Sequence, residues 1–192
     1  MPTNNAKKNK LTAYNLTASG VCLALCMLLP FLTGQIQQFG NALSPMHIPV
    51  LLCGFICGPF FAAAIGAIAP ALRFILFGMP PFMPVGASMC FELAVYGLAS
   101  GYLYKFLPGR IVYIYVSLVA SMLLGRIAWG AAAVVFFGIS GWGFSWQAFF
   151  AGAFVNAIPG IILHIALIPV IVIALQKAKL LDQKRVSRGR FS

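Results

Sequence analysis

Acidic side chains are almost absent from this chain. Among its 192 residues only Glu92 and Asp182 are acidic, against 13 Lys and Arg. Chemistry that needs two carboxylates inside an apolar core is therefore excluded, including aspartyl dyads, di-metal sites and acidic pairs for phosphoalcohol transfer. The two histidines, His47 and His164, have no HExxH context. We expect a protein that is not an enzyme and that has neither a metal site nor a cofactor.

Two further features are missing from the sequence. No GxxxxGK[ST] phosphate loop is present, so the chain does not hydrolyse nucleotides through one. The five cysteines lie inside apolar segments and do not form the pattern of a disulfide framework. Cys22/Cys26 and Cys53/Cys57 are spaced to share a helix face. We expect them to be small packing residues, with a soft-metal site as the alternative.

Hydrophobic residues dominate what is present. They make up 61% of the chain, charged residues make up 8%, and the mean hydropathy is +0.96. Soluble domains carry about 25% charged residues, so this composition predicts an all-α integral membrane protein. The net charge of +11 lies mainly in tails beside apolar segments, which favours contact with lipid headgroups and argues against nucleic acid.

The apolar segments and turn signals predict six transmembrane helices in one domain, residues 11–176, between basic tails at 1–10 and 177–192. A charge-free stretch runs from Leu11 to Leu72, and the turn from Lys105 to Arg110 is the one basic internal connection. By the positive-inside rule, both termini and this turn are cytoplasmic in a multi-pass protein of the cell membrane. The predicted helices are 12–32, 46–57, 60–77, 88–104, 111–137 and 148–175.

Polar residues inside the apolar segments are the candidates for ligand binding, because charges in a membrane are costly and usually functional. From their positions along the predicted helices, we expect several of these residues to lie in the outer half of the bundle, beneath loops rich in aromatic residues. The candidate substrate-binding residues are Arg73, Glu92, Asn156, His47, Arg126, Trp142 and Trp146.

Structural roles are the alternative for each candidate. Arg73 and Glu92 can pair with each other, Arg126 can bond helix carbonyls, and the two tryptophans can be interfacial anchors. Two Arg against one Glu leave one positive charge, which weakly favours a carboxylated ligand such as pantothenate. A neutral, pyridoxine-like heteroaromatic compound stays open, through stacking on aromatic side chains.

Two strings carry a resemblance to a known family. They are PMHIPVLLCGFICGPFFAAAIGAIAPALR, at 45–73, and GMPPFMPVGASMCFELAVYGLASGYLY, at 78–104. A third, weaker pattern is the small-residue spacing from Leu16 to Leu25 in the first helix. Over roughly residues 11–176 the chain resembles the S components of energy-coupling factor (ECF) transporters, which are the substrate-binding subunits of vitamin importers.

The resemblance implies a mechanism and partners. An S component binds a vitamin-like small molecule from outside and then associates with a transmembrane coupling subunit and two cytoplasmic ATPases. Ala18, Gly20, Cys22 and Ala24 would form a predicted coupling face, because small residues let helices approach closely. Two alternatives remain: a structural subunit of another membrane complex that binds no ligand, and a small stand-alone membrane carrier.

Overall fold

A computed structural model describes residues 4–32, 43–108, 110–141, 147, 157–178 and 181 of the chain. These residues form helices and turns, and no strand occurs among them. A short π-helical turn, Phe82–Gly86, precedes the fourth helix. The six α-helices whose bounds fall within these residues are α1 (Asn4–Leu32), α2 (His47–Cys57), α3 (Pro59–Phe77), α4 (Ala87–Phe106), α5 (Ile111–Ile139) and α6 (Ile158–Lys177).

Glycine and proline set the helix limits in the middle of the chain. Gly58 has a φ of 94°, which side chains disfavour, and so turns the chain sharply between α2 and α3. Pro59 then occupies the first turn of α3, where a missing N–H costs nothing. The end of α3 is capped by Gly78 in the left-handed conformation, whose N–H donates to the Phe74 carbonyl at 2.8 Å.

Among the described residues, five helical segments are long and apolar enough to cross a membrane, which indicates a multi-pass membrane protein. The remaining helix, α2, has 11 residues. It is therefore about 16 Å long at ~1.5 Å per residue, short of the roughly 30 Å of a hydrocarbon core. The prediction of an all-helical membrane bundle is confirmed, whereas the count of six crossings and the side of the termini stay predictions.

The predicted helix limits agree with the structure at four helices and differ at the start of α1, whereas the predicted start of the sixth helix lies outside the described residues. α1 begins at Asn4, so most of the predicted N-terminal tail continues the first helix. The described part of α6 begins at Ile158, and most of the ten preceding residues of the predicted helix lie outside the described residues. The lysines before residue 11 are part of α1, because Lys has a high helix propensity.

The short helix α2 lies in the middle of the bundle. Ten of its 11 residues are buried, and it contacts α1, α3, α4 and α6. Helix α4 packs against α2, α3 and α5. Helices α3 and α4 approach closely at Gly97, where an added Cβ would lie 2.5 Å from the Ala62 carbonyl carbon. Large apolar side chains on the outer helix faces are exposed, as the lipid-facing surface requires.

Candidate functional site

A buried carboxylate lies where four helices meet. Glu92, in the second turn of α4, is 1% exposed. Its Oε1 lies 3.0 Å from Nη1 of Arg126 on α5 and 3.4 Å from Nε2 of His47, the first residue of α2. A charge buried this deeply requires a compensating partner. The guanidinium of Arg126 supplies it.

Aromatic rings surround this carboxylate. Tyr96 follows Glu92 by one helical turn on α4, and its ring meets His47 edge-on at 5.1 Å. The ring of His164, on α6, stacks on that of His47 at 6.1 Å. Gly125 leaves space for Tyr96, since an added Cβ there would lie 2.8 Å from the ring. We call His47, Glu92, Tyr96, Arg126 and His164 the polar cluster.

Several polar atoms of the cluster have unused hydrogen-bonding capacity. Within the part of the chain that the structure describes, Nδ1 and Nε2 of His47, Oε1 of Glu92 and Nε2 of His164 are buried without a hydrogen-bond partner. Arg126 and His47 lie close enough to Glu92 to form ion pairs. Their N–H groups are not aligned with Oε1 of Glu92 as a hydrogen bond requires. Leaving such an atom unsatisfied costs roughly 1–3 kcal/mol. These atoms of the cluster therefore have the capacity to form further hydrogen bonds.

Arg73 lies in a different environment. Its Nη1 donates to the carbonyl of Met27 on α1 at 3.1 Å, and its guanidinium lies 5.6 Å and 5.4 Å from the ring centroids of Phe31 and Phe77. The alternative in which Arg73 pairs with Glu92 is therefore wrong, because Glu92 pairs with Arg126 and His47. Arg73 joins α1 to the end of α3.

A protein-family model identifies the family of this sequence. The model described as "ECF transporter, substrate-specific component" matches residues 14–172, which is most of the chain. The chain belongs to this family. Comparisons with curated proteins and with solved structures give no significant match. The protein is therefore an S component, a transporter subunit, and its polar cluster lies within the matched range.

In this S component the remaining candidates have different placements. Asn156, Trp142 and Trp146 lie outside the described residues. On α1, Gly20 and Ala24 are exposed one turn apart and Ala18 is half-buried. Cys22 is buried beside Cys53 of α2. The expectation that Cys22 lies on the outward coupling face is thus not met, because its position on the helix turns it towards α2.

Two members of the S component's polar cluster were not among the sequence candidates. Tyr96 follows Glu92 by four residues, and this spacing places both on one helix face. This spacing is the sequence signal that identifies Tyr96 as a neighbour of Glu92. His164 is a polar residue inside the apolar sixth helix, the same kind of signal that made His47 a candidate. Its stacking on His47 depends on how α6 is rotated against α2, which the spacing along one helix does not determine.

Proposed function

We propose that this S component captures a vitamin or related micronutrient from outside the cell and delivers it inward. It does so with a transmembrane coupling subunit and two cytoplasmic ATPases. The observation that carries the proposal is the polar cluster: one ion pair and two imidazoles, buried among four apolar helices, with unused hydrogen-bonding atoms. Ionisable groups at such a place in a membrane protein are functional by default.

The described contacts favour His47, Glu92 and Arg126 as ligand-binding residues, supported by Tyr96 and His164. They come from four helices, so one bound molecule would bridge α2, α4, α5 and α6. This is the arrangement of a ligand site in a helical bundle, where side chains of facing helices converge. Binding would supply hydrogen-bond partners for the buried polar atoms of His47, Glu92 and His164, which favours the bound state.

Charge placement supports an orientation for the protein in the cell membrane. With both termini and the turn from Lys105 to Arg110 in the cytoplasm, the basic segments obey the positive-inside rule. In that orientation α4 and α6 begin on the outer side. Glu92 and His164 each lie within two turns of the described start of their helix. The polar cluster would then be reached from outside.

The exposed face of α1 is the proposed contact with the coupling subunit. Gly20 and Ala24 present small side chains to the outside of the bundle, and an added Cβ at Gly20 meets no atom within 4 Å. Another membrane helix is able to approach closely there by van der Waals packing. Cys22 belongs to the inner face and is not part of this contact.

An uptake experiment separates this function from its two alternatives. Host cells produce the chain with or without the coupling subunit and ATPases, in medium that contains a defined mixture of isotope-labelled water-soluble vitamins. We expect one compound to accumulate only when all subunits are present. Accumulation without the ATPases would instead identify a stand-alone carrier, and no accumulation with the complete set would favour a structural subunit.

A matched pair of variants tests the contact with the coupling subunit in the same assay. Ala24→Leu enlarges a side chain on the exposed face of α1, so we expect uptake to fall to background while ligand binding is kept. Ala131→Leu makes the same change at an exposed position of α5 and should leave uptake unchanged. Normal uptake by Ala24→Leu would contradict the assignment of this face.

A further inference from the structure

We infer that the polar cluster selects a small molecule that is uncharged, that offers both hydrogen-bond donors and acceptors, and that carries no carboxylate. The inference rests on the proposed function, because it names the substrate class of that site. It departs from the sequence argument, in which a spare arginine weakly favoured an anionic ligand. Three properties of the described residues carry it.

The first property is the charge balance of the cluster. Glu92 and Arg126 carry opposite charges 3.0 Å apart. Glu92 and Arg126 are the one acidic and the one basic residue of the cluster, and their formal charges cancel. A ligand carboxylate would have to approach Glu92 without a second cation to compensate it, and like charges in a low-dielectric interior repel strongly. A cationic ligand would be repelled by Arg126 for the same reason.

The second property is the nature of the unpartnered atoms. Oε1 of Glu92 accepts hydrogen bonds and cannot donate them, whereas a neutral imidazole has one donor and one acceptor nitrogen. Among the described residues, both nitrogens of His47 and Nε2 of His164 lack partners. A molecule that satisfies these atoms together needs a donor for the carboxylate and at least one group of each kind for the imidazoles. Hydroxyl, amide and N-heterocyclic groups provide this combination.

The third property is the position of the remaining intramembrane cation. Arg73 lies between α1 and the end of α3, beside Phe31 and Phe77 and bonded to Met27. The polar cluster is built from α2, α4, α5 and α6. Arg73 is therefore the arginine that the sequence argument left without an acidic partner. It lies at a helix contact, where aromatic faces and a carbonyl stabilise its charge. It is not a member of the ion pairs of Glu92.

Matched ligand pairs test the inference on the purified full-length protein. Each pair differs chiefly by a carboxylate: nicotinamide and nicotinate, pyridoxine and pyridoxate, pantothenol and pantothenate. Isothermal calorimetry gives Kd for all six compounds. We expect the tightest ligand to be a neutral member and to bind at least tenfold more tightly than its carboxylate counterpart. This comparison uses the native chain, so it does not depend on whether any variant folds.

Two variants test whether the preference for the neutral ligand depends on the charge of Glu92. Glu92→Gln removes the negative charge and leaves Arg126 unpaired, so we expect the ratio of the two Kd values to move at least tenfold towards the carboxylate member. Arg73→Gln removes the other cation and should leave that ratio unchanged. Loss of carboxylate binding in Arg73→Gln would place the ligand's charge at Arg73 and overturn the inference.

The remaining outcomes distinguish this inference from the proposed function. Tighter binding of the carboxylate member would overturn the substrate class while a ligand-binding subunit still stands. Failure of all three neutral compounds to bind would also overturn the class assigned here. The proposed function fails separately, when the uptake assay with its wider vitamin mixture shows no accumulation by the complete transporter.

Discussion

Glu92 is held inside the bundle by groups from two other helices, and this sets the energetics of single substitutions. Removing one partner of a buried ion pair leaves an uncompensated charge and costs about 3–5 kcal/mol, whereas replacing both partners can be nearly neutral. Arg126 is the stronger partner of Glu92, with the shorter distance and a fixed positive charge. The loss of stability caused by substituting Glu92 should therefore depend on whether Arg126 is present, and the reverse should also hold.

A double-mutant cycle measures that coupling. We expect Arg126→Gln and Glu92→Gln each to lower the Tm of the purified protein in detergent. The double variant should lose less than the sum of the two, with a coupling energy of about 0.5–3 kcal/mol. Thermal unfolding followed by tryptophan fluorescence checks this. Additive losses would contradict the ion pair, and Arg73→Gln combined with Glu92→Gln provides the control, for which we expect additivity.

The limits of sequence reasoning are clear for these same residues. The sequence predicts that Glu92, Arg126 and His47 are intramembrane polar groups, because each interrupts an apolar segment. It does not predict their partners, since the rotation of one helix against another depends on packing across the bundle. Arg73 shows the difference: its depth resembles that of a site residue, and its contacts lie on α1 and α3.

At the scale of helices, local signals predicted most of the architecture. The Gly58–Pro59 turn and the Gly78 cap fix the limits of α3, and both are visible in the sequence. The central position of α2 was not predicted. The sequence predicts α2 as one of six transmembrane helices, and it does not predict the contacts with four neighbours that bury it at the centre. This burial places His47 beside Glu92.

Close packing of α3 against α4 holds Glu92 in position, and a pair of glycine substitutions tests this. A Cβ at Gly97 would lie 2.5 Å from backbone atoms of Ala62, whereas a Cβ at Gly138 of α5 meets nothing within 4 Å. We expect Gly97→Ala to destabilise the protein by about 1–3 kcal/mol. Gly138→Ala should be neutral or slightly stabilising. Equal Tm values for the two variants would contradict the close approach.

At the scale of the whole molecule, the bundle combines two surfaces with different demands. Its outside is apolar and suits lipid, and a small-residue face on α1 is open to another helix. Its inside holds an ion pair and two imidazoles whose hydrogen bonds are incomplete. Family membership, which the sequence patterns predicted, is confirmed by the match over residues 14–172. The proposed coupling contact rests on the first surface, and the proposed substrate class rests on the chemistry of the polar cluster.

Mass spectrometry of the purified chain tests the central claim most directly. The wild-type protein, the Glu92→Gln variant and the Gly138→Ala control are each isolated from cells grown in vitamin-rich medium, denatured, and analysed for released small molecules. The account predicts about one molecule of a single vitamin-like compound per chain in the wild type and the control, and its loss from Glu92→Gln. An empty wild-type protein, or equal occupancy in Glu92→Gln, would contradict a substrate site at the polar cluster.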